Sequence, residues 1–301
     1  MMTQIREYVL DGIISKGGFG TVYKAHHPRF QVFFAIKLMH ISETSNYKAY
    51  SQESQILCNI NHPLIEKLYD FFIEDEYYVL VFEYLPNSLQ NELDSKPTEK
   101  RLSELCSQII DAIGYLHENK IAHRDIKPGN ILIDASGRIR IIDFGIATMA
   151  CKNDLVNEYG GSVQYCSPEV LGKKPYNPYQ SDIWSIGVLI CEMFQGFIPW
   201  KSDIECIIID RISNILFELS TCIPRKIRNI IMRIFVIDPG KRPSIEELKC
   251  VFTMRRTSIN NISLPSLSPS NSTHRKPTLV KSWTRMSRST TYGKVRHTLL
   301  L

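Results

Sequence analysis

The sequence predicts an α+β protein in two parts: a small antiparallel β-sheet carrying one main helix, then a larger, mostly helical half. Two observations predict it. Runs rich in β-branched and aromatic residues, parted by turn residues, fill the first 85 positions, and past Pro86-Asn87 the apolar residues switch to helical spacing. With 301 residues and 44% apolar content the chain can bury a sizeable core.

Segments 8–10, 22–25 and 32–38 read as strands around a glycine turn. Segment 47–60 reads as a helix whose Tyr50, Ile56, Leu57 and Ile60 share a face, and 64–72 and 77–84 as two further strands. In the second half 102–119 is the longest helix, with Leu105, Ile109, Ala112, Ile113 and Leu116 recurring at helical spacing. Two more helices are expected at 182–194 and 224–236, each ended by a Gly or Asp-Pro signal. The division is therefore 1–85, 86–252 and 253–301.

The last piece differs in kind. It holds nine Lys/Arg, no acidic residue and seventeen Ser/Thr, so it cannot bury enough apolar surface to offset the entropy of ordering and is expected to be a disordered tail. The preceding 252 residues carry 27 basic and 31 acidic residues, so the net charge of +5 describes the tail. Eight scattered cysteines, without a C-x-x-C pair, read as free thiols in a reducing compartment. The longest apolar stretch, 183–193, is interrupted by Ser185 and too short to span a bilayer, and residues 1–15 lack a signal pattern. An intracellular chain, cytoplasmic and/or nuclear, follows.

The chemistry is concentrated in His123-Arg124-Asp125-Ile126-Lys127-Pro128-Gly129-Asn130, followed thirteen residues after Asn130 by Asp143-Phe144-Gly145. In one ordered stretch this supplies a carboxylate for an incoming hydroxyl, a lysine for a moving phosphoryl, and an amide and second carboxylate for metals. Upstream, Ser15-Lys16-Gly17-Gly18-Phe19-Gly20-Thr21-Val22 forms a glycine turn whose backbone N–H groups can approach phosphate oxygens. Lys37, in Ala35-Ile36-Lys37 on the next strand, can reach α/β-phosphates, and Glu53 on the following helix can hold its ammonium. Singly, each motif reads as a tight turn or a solvated charge; their order and spacing argue otherwise.

The ordered set resembles the eukaryotic protein kinase family over residues 8–252. The resemblance implies a two-lobed fold, ATP and Mg²⁺ as cofactors, and transfer of the γ-phosphoryl of ATP to protein Ser/Thr hydroxyls. It implies that Asp125 accepts the substrate proton, that Lys127 steadies the phosphoryl, that Lys37 pairs with the phosphates and with Glu53, and that Asn130 and Asp143 hold two Mg²⁺. It further implies that Val22, Ala35 and Leu132 sandwich adenine, that Phe82 closes the pocket, and that backbone groups of Glu83 and Leu85 bond the base. Framework roles fall to Leu57, Leu68, His123 and Phe144 as stacked core residues, to Asp182 as a brace for the catalytic loop, and to a Glu169–Arg242 ion pair. Lys127 and Ser162 match the Ser/Thr branch, and Gly161-Ser162 through Ser167-Pro168-Glu169 looks most like calmodulin-kinase-group or AMP-activated-kinase-like relatives.

Departures from the pattern carry expectations of their own. Ser15 replaces the first loop glycine. Ser88 and Gly129 stand where many relatives carry acids, so no strong demand for arginine before the acceptor is expected. Glu158 occupies the position often phosphorylated and is expected to pair with Arg124, giving partial activity with little or no activation-loop phosphorylation; Ser162 and Thr148 are rival phosphosites. The alternative function is a pseudokinase scaffold. The expected partners are protein substrates; nucleic acid is not expected, and the basic tail, with Trp283 and Leu299-Leu300-Leu301, is the candidate site for a regulatory partner.

Overall fold

The computed structural model describes residues 3–30 and 32–252. Strands β1 (Gln4–Ile5), β2 (Tyr8–Gly17), β3 (Gly20–His26), β4 (Phe33–His40), β5 (Leu68–Glu74) and β6 (Tyr77–Glu83) form one antiparallel sheet in the order β1-β2-β3-β4-β6-β5. Helix α1 (Thr44–Asn59) lies between β4 and β5 in sequence. Strand β7 (Asn87–Ser88) leads into helices α2 (Leu89–Asp94) and α3 (Glu99–Glu118), then β8 (Ile121–Ala122), β9 (Ile131–Ile133), β10 (Ile139–Ile141) and β11 (Thr148–Met149). These short strands make two small sheets, β10-β9-β7 and β11-β8. Helices α4 (Pro168–Leu171), α5 (Pro178–Gln195), α6 (Glu205–Ser213), α7 (Arg225–Ile234) and α8 (Ile245–Phe252) complete the second half.

Strand alternation divides the core. On β4 and β6, Ile36, Leu38, Val79 and Val81 point into a cluster with Ile5, Tyr8, Ala25 and Phe72, while Met39, Leu80 and Phe82 join the main core with α1 and the helical half. The same alternation puts Ala35 and Lys37 on the face that lines the cleft. Helix α3 starts at Thr98, whose hydroxyl accepts the Arg101 N–H at 3.3 Å, and buries Leu105, Ile109, Ile113 and Leu116 along one stripe. Helix α5 is capped by Asn177 and closed by Gly196 at φ +81, and its Trp184 stacks on Trp200 with centroids 5.7 Å apart.

The expected segments differ from these in instructive ways. The first strand runs on to Gly17, so the glycine turn shrinks to Gly18-Phe19; Gly20 sits at φ +133, where a Cβ would meet the Leu38 carbonyl. Residues 64–67 are not part of the upper sheet. Ile65 instead bridges in parallel to Ile141, because the apolar Leu64-Ile65 pair docks the chain on β10. Helices α2, α4, α6 and α8 lie outside the segments read from periodicity, each being nine residues or shorter. Among the described residues no helix is long and apolar enough to cross a membrane, and all eight cysteines are free thiols. The expectations for the tail, with Trp283 and Leu299-Leu300-Leu301, lie outside the described residues.

Candidate active site

A cavity of about 500 Å³ opens between the sheet and the helical half. That volume is of the size that takes a small ligand. Ser15, Gly17, Gly18, Phe19 and Gly20 roof it; Val22, Ala35 and Leu132 line it with Phe82, Glu83 and Leu85; Lys37, Glu53, Asn130, Lys127 and Asp143 stand at its polar end. Of the expected loop residues Lys16 and Thr21 do not line it; they pair across β2 and β3, and strand alternation separates them from Ser15, Gly17, Gly20 and Val22. Ile14, Tyr84, Ser88, Gly129 and Glu66 line it as well. Ser88 also caps α2, its hydroxyl accepting the Asn91 N–H at 3.2 Å.

The upper charges form one network around Lys37. Its Nζ donates to Glu53 Oε2 and to Asp143 Oδ1, both at 2.8 Å. Burial works against the Lys37 charge, but these two carboxylates outweigh it and hold its pKa above the usual lysine range. Burial pushes Asp143 up, but Lys37, with His123 and Lys127 adding to it, reverses the shift and leaves the aspartate more acidic than usual. Burial raises Glu53 despite Lys37, and raises Glu66 further, with Glu53 nearby adding to the effect. Two backbone N–H groups are held by these acids: Asp143 N–H donates to Glu66 Oε1 at 2.8 Å, and Phe144 N–H to Glu53 Oε1 at 3.2 Å.

Below them lies a second network. Asp125 Oδ2 accepts from Lys127 Nζ at 2.7 Å and from Asn130 Nδ2 at 2.8 Å, while Oδ1 accepts from the Ser162 N–H and hydroxyl, each at 3.0 Å. Lys127 Nζ also donates to Ser162 Oγ at 2.7 Å. The loop carrying Asp125 is strained at Arg124, φ +69, a conformation costing about 1–3 kcal/mol in a non-glycine residue. Asp182 on α5 offsets that strain. Its fully buried carboxylate accepts the N–H groups of His123 and Arg124 at 2.9 and 2.8 Å and lies 2.9 Å from His117 Nε2. His123 lies with Nε2 3.0 Å from the Ile142 carbonyl, which can only accept, and edge-on to Phe144 at 5.0 Å between centroids.

A third group tethers the segment between Asp143 and Glu169. Glu158 Oε1 accepts from Lys48 Nζ on α1 at 2.5 Å, and Oε2 lies 3.5 Å from Arg124 Nη1. The Lys48 hydrogen bond, then the nearby Arg124, hold the Glu158 carboxyl below the usual range. Arg124 Nη2 and the Tyr176 hydroxyl both donate to the Glu158 carbonyl, and Arg124 Nε donates to the Tyr176 oxygen at 2.9 Å. Further along, Arg242 grips Glu169 through both oxygens at 2.6 and 2.8 Å, and its guanidinium lies 5.0 Å from the Trp184 ring.

The structure thus brings Lys37, Glu53, Asn130, Lys127 and Asp143 to one cavity, with Asp125 beside it. It adds Glu66, Lys48 and Tyr176, none of which carries a local sequence signal. A divalent cation fits the donor set: both Asn130 amide protons are spent on Asp125, freeing its carbonyl oxygen, and Asp143 keeps Oδ2 clear of Lys37 with 40% of its side chain exposed. Among the described residues no cluster of three His, Cys, Asp or Glu could hold a metal alone. Such a cation needs further oxygens from a phosphorylated ligand and water.

A family model described as the protein kinase domain matches residues 8–251. The chain is 30% identical over 254 residues to an Aurora kinase of Eremothecium gossypii, covering 82% of this chain and 68% of that protein. It is 29% identical over 266 residues to the SNF1-like protein kinase ssp2 of Schizosaccharomyces pombe, covering 87% and 45%, and 30% identical over 240 residues to NUAK family SNF1-like kinase 2 of Rattus norvegicus, covering 78% and 38%. The chain spans half or less of the length of most such curated relatives, down to 24%.

Proposed function

The chain belongs to the protein kinase family, in its serine/threonine branch, and we propose that it is an active enzyme moving the γ-phosphoryl of ATP to protein Ser/Thr hydroxyls. The observation that carries the proposal is the meeting of two networks at one cavity: Lys37 held by Glu53 and Asp143 above, Asp125 held by Lys127, Asn130 and Ser162 below.

In this reading adenine lies between Val22, Ala35 and Leu132, bonded by backbone groups of Glu83 and Leu85, with the loop Ser15-Lys16-Gly17-Gly18-Phe19-Gly20 over the phosphates. Lys37 holds the α/β-phosphates, and Asn130 and Asp143 hold Mg²⁺. When bound, the cation supplies positive charge that neutralises phosphate oxygens. Asp125 accepts the proton of the acceptor hydroxyl. Lys127, already within reach of Asp125 and Ser162, steadies the phosphoryl as it moves. Ser162 bonds both groups, so an acceptor hydroxyl reaching Asp125 competes with the Ser162 hydroxyl for the same carboxylate.

Glu158 supports activity with little or no activation-loop phosphorylation, because its carboxylate already spans Lys48 on α1 and Arg124 beside the catalytic aspartate. Ser88 as a helix cap and Gly129 without a side chain leave no carboxylate at either position for an upstream arginine. A positional peptide library in which upstream arginine dominates would refute that part.

The main test is a γ-phosphoryl transfer assay on casein with bacterially made, phosphatase-treated chain. Asp125→Asn should lower turnover by about 10²–10⁴-fold, with phosphoserine or phosphothreonine as product. Nucleotide binding by the wild type without any turnover would favour the scaffold reading instead.

A further inference from the structure

Successive N–H groups of the Asp143-Phe144-Gly145 turn end on two carboxylates, and only one of them, Glu53, belongs to the lysine pair read from the sequence. The other, Glu66, comes from the 64–67 stretch that docks on β10. Its own N–H donates to the Ile141 carbonyl at 2.9 Å, and the Ile141 N–H donates to the Leu64 carbonyl at 2.9 Å. One residue therefore grips residues 141–143 twice, by its backbone at Ile141 and by its side chain at Asp143.

The second grip falls where it matters. Asp143 lies at φ +64, a left-handed conformation that residues other than glycine avoid. Its carboxylate direction depends on the peptide plane before it. Lys37 bonds only Oδ1, and Asp143 lines the cavity.

We propose that Glu66 is a positioning residue for Asp143: by accepting the Asp143 N–H it fixes the 142–143 peptide and so aims the Asp143 carboxylate at the cation site beside Asn130. The proposal rests on the kinase reading for the identity of the cation. What it requires of residue 66 is an acceptor oxygen at that reach. Glu66→Gln keeps that oxygen, Glu66→Leu keeps bulk without it, and Glu66→Asp draws it back.

The test uses the full chain and two readouts. Hydrogen exchange followed by mass spectrometry, without nucleotide, reads the amides of peptides covering 141–146. Exchange there should rise at least about tenfold in Glu66→Leu and stay within about threefold of wild type in Glu66→Gln. Binding of a fluorescent ATP analogue is then titrated with Mg²⁺. Measured relative to each variant's own nucleotide binding in EDTA, the half-saturating Mg²⁺ should rise about fivefold or more in Glu66→Leu and be restored in Glu66→Gln. Thermal melting checks the fold, and Glu66→Asp replaces Glu66→Leu if the latter does not fold. Wild-type exchange and Mg²⁺ dependence in the variant lacking the acceptor would overturn the proposal, as would equal impairment in Glu66→Gln. A wild-type chain that bound no nucleotide would refute the kinase reading, while the exchange readout would still decide the role of Glu66.

Discussion

Helices α1 and α5 each deliver a buried carboxylate to the site, Glu53 and Asp182, and they are held in opposite ways. Helix α5 buries 14 of its 18 residues, begins at the Asn177 side-chain cap and ends in a left-handed glycine. Helix α1 buries seven of 16, has no side-chain cap bond at Glu43 and bears no acid in its first turn. Apolar packing therefore fixes α5 independently of the charge it carries. Helix α1 is also tied by two ion pairs, Glu53 with Lys37 and, one to two turns earlier, Lys48 with Glu158. Asp182 is framework, whereas Glu53 sits on a helix with fewer buried residues and no side-chain cap.

Asp182→Ala gives the largest expected effect. It strands the N–H groups of His123 and Arg124 in a buried site and removes the partner of His117, so stability should fall by about 3–5 kcal/mol and turnover should be lost. Urea unfolding monitored by tryptophan fluorescence reads it. Glu53→Gln should instead separate activity from stability: turnover falls about 10²-fold as Lys37 loses its guide, while the unfolding midpoint moves less than in Asp182→Ala. Equal destabilisation by the two substitutions would break the comparison.

The smallest effect belongs to Glu158→Ala. Glu158 is 52% exposed and screened by solvent, so its loss should cost about 0.2–1 kcal/mol, a reduction in turnover of at most about fivefold. Its pKa is depressed in the folded chain, so the contribution is present above the ordinary value of 4.5 and is lost as pH falls through the lower folded value. Melting curves of wild type and Glu158→Ala should differ at about pH 6 and converge as pH falls through the depressed folded value.

The parts of this site legible from the residues themselves lie close together in the chain, whereas long-range links such as Glu169–Arg242 and Asp182 with residues 123–124 were legible only through the family resemblance. Asp125, Lys127 and Asn130 occupy six consecutive positions, and one short loop turns all three onto the same spot. The Lys37–Glu53 pair was legible because a strand and the helix after it bring the two face to face. Glu66 was not, since it lies in an apolar-looking stretch that passes for the start of a strand, and its meaning depends on a contact 77 residues away. Lys48 reads as one more solvated helix charge until the chain returns 110 residues later. The short helices α6 and α8 were missed because two turns are too few to establish a period, though Leu248 and Phe252 are buried by α8.

The Glu158 tether has a consequence for how such a chain is governed in time. A phosphate is written by one enzyme and erased by another, so its occupancy tracks the balance of the two. A carboxylate is written once by the ribosome and no phosphatase removes it. On the proposed reading of Glu158, a chain wired through Lys48, Glu158 and Arg124 carries part of its activity from synthesis to destruction, and that part follows copy number and half-life.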